Sequence, residues 1–119
     1  IVSIKMSEDT KTKDTSVKST MEIILHAGDA RVLIMQAMDC LGSFEYDKAE
    51  NLMHDAHEKL VLAHKLQTNR LQEEAEGEDV QYSVLFTHAQ DTLMTINTEY
   101  NIVKHLIGVF KARDEKKGE

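Results

Sequence analysis

Proline is absent from this sequence, glycine occurs five times, and aromatic residues make up only 5% of the 119 positions. Proline and glycine are the residues that most often interrupt helices, so their scarcity permits long ones. Leucine, methionine, alanine and isoleucine carry the apolar content, and this mixture favours packed helices over a sandwich of sheets. The sequence therefore predicts one all-α domain with a modest core.

Cysteine is nearly absent too, since Cys40 is the only one. A single thiol cannot form an internal disulfide, which suits a reducing compartment such as the cytoplasm. Cys40 falls late in a helical run, where we expect a small buried hydrophobic side chain rather than a reactive thiol.

Long hydrophobic runs are missing: no segment approaches about 18 consecutive apolar residues, so none is expected to span a bilayer. The apolar start, IVSIKM, is too short for a signal peptide. The polar stretch that follows it predicts a disordered tail over residues 1–18.

The charge balance is acidic, with a formal net charge of -7. A field of that sign repels phosphate backbones and anionic headgroups, which disfavours binding to nucleic acid or to a membrane surface. It favours the approach of a basic protein partner.

Two helical runs occupy the first half of the domain. The first begins at a capping box made by Ser19 and Glu22 and ends at Gly42, where a left-handed residue is expected. Ser43 then caps a second predicted helix over residues 43–74. Apolar positions at helical spacing comprise Ile23, Ala27, Ala30, Ile34, Ala37 and Leu41 in the first, and Ala49, Leu52, Met53, Ala56, Leu60, Ala63, Leu66 and Leu71 in the second.

A third predicted helix spans residues 80–113, after a turn at residues 73–79 that carries five acidic side chains around Gly77. A charged tail over residues 114–119 is expected to fray. Residues 19–113 thus form an up-down-up three-helix bundle. The third helix has apolar residues on more than one face, which predicts packing against another copy; they are Val84, Leu85, Leu93, Ile96, Ile102, Val103, Ile107 and Phe110.

One stripe of the third helix is polar in its middle. Burying His88 and Asp91 there without partners would cost roughly several kcal/mol. Their presence therefore predicts either that they pair with groups outside this chain or that they take part in a reaction. The stripe has steps of three and four residues, as in a heptad seam, and comprises Val84, His88, Asp91, Thr95, Thr98 and Ile102.

Three segments resemble one protein family. HAQDTLM, residues 88–94, resembles the active-site segment of lactose/cellobiose-type IIA components of the bacterial phosphoenolpyruvate-dependent sugar phosphotransferase system (PTS). IILHAGDARVLIMQAM, residues 23–38, and FEYDKAENLMHDAHEKLVLAHKLQT, residues 44–68, resemble its first and second helices. The resemblance covers residues 21–111.

The resemblance implies a homotrimeric phosphotransferase with a phosphohistidine intermediate. It implies that His88 is phosphorylated on Nε2 by the phosphocarrier protein HPr. The phosphoryl group then passes to a cysteine of a IIB component, and finally to a sugar such as lactose, cellobiose or chitobiose during uptake through the membrane component IIC.

The neighbours of His88 carry expectations of their own. Asp91 matches the family carboxylate that lies on the trimer axis and can share a divalent cation, typically Mg²⁺. The family's usual second histidine is replaced by Thr92, whose hydroxyl can donate a hydrogen bond to a phosphate oxygen but cannot hold positive charge. Gln90 is a further candidate amide donor.

Two other interpretations remain open. In the first, the chain is a non-enzymatic helical interaction module in which His88 and Asp91 only fix register. In the second, histidines of the second helix bind a metal, although their spacing is not that of a zincin; these are His54, His57 and His64. The remaining histidines, His26 and His105, are expected to be surface or packing residues.

Overall fold

Three helices form an elongated bundle in the computed structural model, which describes residues 2–77 and 83–117. They are α1 (Val2–Gly42), α2 (Tyr46–Ala75) and α3 (Val84–Lys117). No strand occurs within the described ranges. Each helix packs against the other two, so the prediction of an all-α three-helix bundle is confirmed.

The core is aliphatic and rich in alanine. Alanine at the contact positions lets the helix axes approach closely, while each larger side chain that is fully buried contributes about 1.5–3 kcal/mol relative to exposure. Cys40 is buried, as predicted, whereas Leu71, which continues the predicted apolar stripe of the second helix, is exposed. The buried apolar residues are Ile23, Ala27, Ala30, Ile34, Ala37, Cys40, Ala49, Met53, Ala56, Leu60, Ala63, Phe86, Ala89, Leu93, Ile96, Val103 and Ile107.

Charged pairs on the surface link the helices to one another. The Arg31 guanidinium on α1 donates two hydrogen bonds, of 3.1 and 2.9 Å, to the Glu99 carboxylate on α3. Lys111 Nζ on α3 lies 3.3 Å from Glu50 Oε1 on α2. Exposed pairs of this kind contribute about 0–1 kcal/mol each, so they link neighbouring helices but add little stability.

The carboxyl end of α3 is attached to the start of α2. Tyr46 donates its phenolic hydrogen to the Asp114 carboxylate. This hydrogen bond, with desolvation and the negative charge of Asp114, raises the pKa of Tyr46 to about 12. Asp114 was predicted to begin a frayed tail; instead α3 continues to Lys117, because this contact gives the last turns a partner.

The amino-terminal half of α1 also differs from the prediction. Residues 2–18 are helical, whereas a disordered tail was expected, and the Ser19 of the proposed capping box lies inside the helix. The segment contains no proline or glycine that would interrupt a helix.

The turn between α1 and α2 is built around Phe44 rather than Gly42. Phe44 has φ 61°, and it is the residue in the left-handed region. The Phe44 amide donates to the Leu41 carbonyl and the Glu45 amide to the Cys40 carbonyl, at 3.3 and 3.0 Å. This is a Schellman arrangement, in which the left-handed position is usually glycine.

Ser43 does not cap α2, contrary to the prediction. Its hydroxyl donates to the Cys40 carbonyl oxygen at 3.2 Å and lies 3.0 Å from Glu45 Oε2. The cap position of α2 is Glu45, whose side chain forms no capping hydrogen bond. The serine therefore completes the end of α1 instead of starting α2.

The second turn is partly outside the described residues. α2 ends at Ala75, and Gly77 adopts φ +86°, consistent with the predicted turn there. The predicted start of the third helix at residue 80 lies outside the described residues, and α3 is described from Val84. Within the described part of the chain, none of the helices has a stretch apolar and long enough to cross a bilayer.

Replacing Phe44 with glycine is expected to stabilise the protein. A left-handed backbone costs a non-glycine residue about 1–2 kcal/mol, and the Phe44 side chain is 69% exposed, so little burial is lost. Glycine loses about 0.4–1 kcal/mol more backbone entropy on folding, which offsets part of the gain. We expect a net increase of about 0.5–1 kcal/mol in the free energy of unfolding, measured by urea titration.

Phe44→Ala is the matched control. It removes the ring but keeps Cβ, so the backbone strain remains and no stabilisation is expected. Equal stabilisation by both variants would show that the ring, and not the left-handed backbone, is unfavourable.

Candidate functional site

His88 lies on the second turn of α3, and a serine fixes where that helix begins. The Phe86 amide donates to Ser83 Oγ at 3.1 Å, and the Thr87 amide donates to the Ser83 carbonyl at 3.1 Å. Serine is among the residues preferred at this cap position, because its side chain satisfies an amide that has no partner in the first turn. The cap therefore fixes the first turn of the helix that carries His88.

The stripe that contains His88 lies on the outside of the bundle. Val84 is 72% exposed and Ile102 is 55% exposed, and the polar residues between them are also exposed. The core is contacted instead by Ala89 and Leu93, which are fully buried. α3 therefore has two opposite faces, and the heptad stripe is the one its own bundle does not use.

The His88 side chain is exposed and, among the described residues, forms no hydrogen bond. Among the residues that the structure describes, no protein group thus competes for either ring nitrogen. An imidazole that is available in this way suits nucleophilic or ligand chemistry, because packing or pairing inside the bundle does not occupy it. A purely structural histidine would be expected to have such a partner.

The other predicted site residues are arranged around His88. Asp91 is exposed one turn later, while Gln90 and Thr92 are half-buried at the two edges of the stripe. Within the described part of the chain, neither Gln90 nor Thr92 uses its side chain in a hydrogen bond. Gln90 therefore retains a free donor two residues after His88, and Thr92 retains one four residues, about one turn, after it.

Thr95 and Thr98 of the stripe, and Thr87 beside it, are different because the carbonyls of their own helix accept their hydroxyl hydrogens. Thr87 Oγ1 donates to the Ser83 carbonyl at 3.1 Å, and Thr95 Oγ1 donates to the Asp91 carbonyl at 2.7 Å. Thr98 Oγ1 makes the same bond to the carbonyl four residues before it. Because these hydroxyl hydrogens already bond to backbone carbonyls, they are not available to a ligand or a partner.

A contact that the sequence did not predict attaches the start of α3 to the other two helices. Arg70, near the end of α2, places its guanidinium carbon 4.3 Å from the centre of the Phe86 ring. Arg70 Nη1 also donates to Oγ1 of the buried Thr20 on α1 at 3.1 Å. Three helices thus meet two residues before His88. No periodic signal marks Arg70, since it is one of many polar residues at the end of α2.

The second-helix histidines do not form a metal site in one chain. His54 Nε2 lies 3.4 Å from Glu58 Oε1, and the His57 ring packs 5.7 Å from the Tyr100 ring, centroid to centroid. Among the described residues, no three His, Cys, Asp or Glu side chains come together as a metal site. The interpretation as a metal-binding bundle has no support from these positions.

The remaining two histidines differ from each other. His26 is half-buried, and its Nδ1 is buried with no hydrogen-bond partner in the described structure. His105 is exposed on α3, and its Nδ1 lies 2.8 Å from the Asn101 carbonyl oxygen. They are packing and surface residues respectively within the single chain, as predicted.

Comparison with known proteins identifies the family. A family model described as the lactose/cellobiose-specific IIA subunit of the PTS system matches residues 18–111. The chain belongs to this family. The resemblance predicted from the motif around His88 is therefore confirmed.

Individual relatives agree with that assignment. The lactose-specific EIIA component of Staphylococcus epidermidis is 46% identical over 90 residues, which are 76% of this chain and 86% of the relative. That of Streptococcus mutans is 43% identical over the same shares. The crystal structure of the cellobiose-specific enzyme IIA from Bacillus anthracis is 33% identical, has a TM-score of 0.79, and is matched over 86% of this chain and 94% of its own.

Removing the His88 imidazole should leave the IIA fold almost unchanged. His88 is exposed and has no partner among the described residues, so His88→Ala is expected to change the free energy of unfolding by less than about 0.5 kcal/mol. Leu93→Ala is the contrasting variant and should cost about 2–5 kcal/mol, because it leaves a cavity in the core. Urea titration of both measures the difference. A loss of more than about 1 kcal/mol for His88→Ala would mark the imidazole as structural.

Proposed function

We propose that this IIA component is a cytoplasmic phosphoryl carrier in which His88 holds the phosphoryl group. It accepts the group from phospho-HPr and passes it to a cysteine of a IIB component, for uptake of a disaccharide such as lactose, cellobiose or chitobiose. The observation that supports this most is the exposed, unpaired imidazole at the family's active-site motif.

The chemistry requires an accessible nitrogen lone pair and little else from the side chain. Nε2 of neutral His88 attacks phosphorus, the new phosphorus–nitrogen bond forms, and the bond to the donor breaks with its electron pair left on the donor. In the second transfer the IIB thiolate attacks, and the electron pair of the phosphorus–nitrogen bond returns to Nε2. Catalysis then consists of in-line positioning and stabilisation of charge on the phosphoryl oxygens.

The surroundings of His88 suit those two tasks. Thr87, Ala89 and Thr92 are small, which leaves room for the active site of a partner above the ring. Gln90 and Thr92 each offer a free hydrogen-bond donor at the edge of the stripe, and we assign them to the phosphoryl oxygens. Neither carries a positive charge, so charge on the phosphoryl group must be balanced partly by the partner.

The exposed heptad stripe supports assembly into a homotrimer through α3. Its apolar ends, Val84 and Ile102, would lose their exposure in a seam between copies. A seven-residue repeat is the spacing that keeps a seam continuous between neighbouring helices. His88 would then lie at a cleft between protomers, where a donor protein can still reach it.

Asp91 is the residue that would hold a cation in such an assembly. In one chain it is an exposed carboxylate, and the described residues contain no group of three potential metal ligands. Three copies would bring three carboxylates together, and oxygen donors of this kind suit Mg²⁺. The ion would offset repulsion between the carboxylates; the phosphoryl transfer itself is assigned to His88.

Phosphorylation by purified components tests the proposal. Incubation with phosphoenolpyruvate, enzyme I and HPr should give one acid-labile phosphate per chain on the wild type and none on His88→Ala, as measured by intact mass. His54→Ala is the matched control, since His54 is an exposed histidine on another helix, and it should be phosphorylated normally. Absence of an adduct on the folded wild type would favour the non-enzymatic interaction module.

Replacing Asp91 with leucine tests the assembly separately. Asp91→Leu removes the repulsion between carboxylates and adds apolar surface to the seam, so the trimer should persist in chelator and gain stability. Sedimentation velocity with and without EDTA measures this. Dissociation of the variant into monomers would contradict the placement of Asp91 on the axis.

A further inference from the structure

His105 is an exposed histidine on α3 whose tautomer is fixed by its own helix. Its Nδ1 lies 2.8 Å from the carbonyl oxygen of Asn101. A carbonyl oxygen can only accept, so Nδ1 carries the hydrogen and, in the neutral ring, Nε2 carries the free lone pair. Histidines that bind metals usually donate their other ring hydrogen to a backbone carbonyl or a carboxylate in this way. The His105 ring is therefore held as in a metal-binding histidine, with Nε2 available to bind an ion.

The position of His105 places it on the same seam as the active site. It follows Asp91 by two heptads, with Thr98 halfway between them. Val109, one turn later, is 52% exposed and continues the apolar part of the stripe beyond Ile102. Because residues seven apart keep the same place in a supercoiled seam, His105 meets its copies wherever Asp91 does.

The described residues of one chain do not complete a metal site at this position. Within the described residues of a single copy, no group of three potential ligands occurs anywhere. The next turn beside His105 carries Gly108, and a Cβ built there meets nothing within 4 Å, so space is available next to the ring. Three symmetry-related copies would supply three imidazoles.

We propose that the Nε2 atoms of His105 from three copies form a binding site for a divalent transition metal such as Zn²⁺. The inference rests on the trimer proposed above. Three imidazoles with one open position are a common zinc ligand set, whereas carboxylate oxygens at Asp91 suit Mg²⁺. The two sites would be about 21 Å apart along the helix, given its rise of 1.5 Å per residue.

Cobalt substitution tests the site on the assembled protein. Chelator-treated protein is titrated with Co²⁺, whose visible absorption is strong when few nitrogen ligands surround it and weak in an octahedral oxygen site. The wild type should bind one strongly absorbing ion per three chains, and Zn²⁺ should displace it. His105→Ala should weaken this binding by more than about 100-fold, since loss of supporting groups alone costs about 10–100-fold.

Two control variants separate this site from other metal positions. His54→Ala removes an exposed histidine from α2, and Asp91→Leu removes the carboxylate from the seam; both should keep the absorption. His105→Ala should also be phosphorylated at the wild-type rate, because His105 lies 17 positions after the proposed phosphoacceptor.

The outcomes test the metal site separately from the trimer on which it depends. A trimer that binds Co²⁺ equally with and without His105 overturns the metal site and leaves the trimer standing. A chain that stays monomeric with and without Co²⁺ overturns both. Phosphorylation of His88, measured independently, reports on the carrier function in either case.

Discussion

The two-sidedness of α3 is the constraint on which the rest of this molecule depends. A helix of this length must bury one stripe against α1 and α2, and in this chain Ala89, Leu93 and Ile96 do so. The same periodicity leaves His88 and Asp91 on the opposite face, away from their own core. The chemistry is therefore exposed because the packing residues occupy the other side. A rotation of the helix by half a turn would bury the imidazole and expose the core.

The contact between Arg70, Phe86 and Thr20 keeps α3 from rotating about its axis at the end of the bundle that carries His88. A guanidinium stacked on an aromatic ring is worth about 0.5–2 kcal/mol and is directional. The hydrogen bond from Arg70 to Thr20 joins α1 to the same point. At the other end the Tyr46–Asp114 contact plays the corresponding part. Both ends of α3 are thus attached through side chains from α2, which keeps the exposed stripe in one orientation.

Several features were predictable because they depend on local pattern. The alanine and isoleucine positions of α1, from Ile23 to Ala37, were predicted as core and are buried. The pattern failed near the end of α2, where Leu71 continues the apolar stripe but is exposed. It failed also at the first turn, where glycine was expected to take the left-handed position and Phe44 takes it.

By itself, the sequence determined the three helices, the apolar stripes, the family and the motif around His88, because spacing along one chain is enough to define these. Tertiary structure alone decided which stripe of α3 faces inward, since periodicity defines two faces without choosing between them. It also decided the support of Phe86 by Arg70 and Thr20, residues far apart along the chain that only packing brings together. The physical reason is that faces are local properties, whereas contacts depend on the rotation of whole helices about their axes.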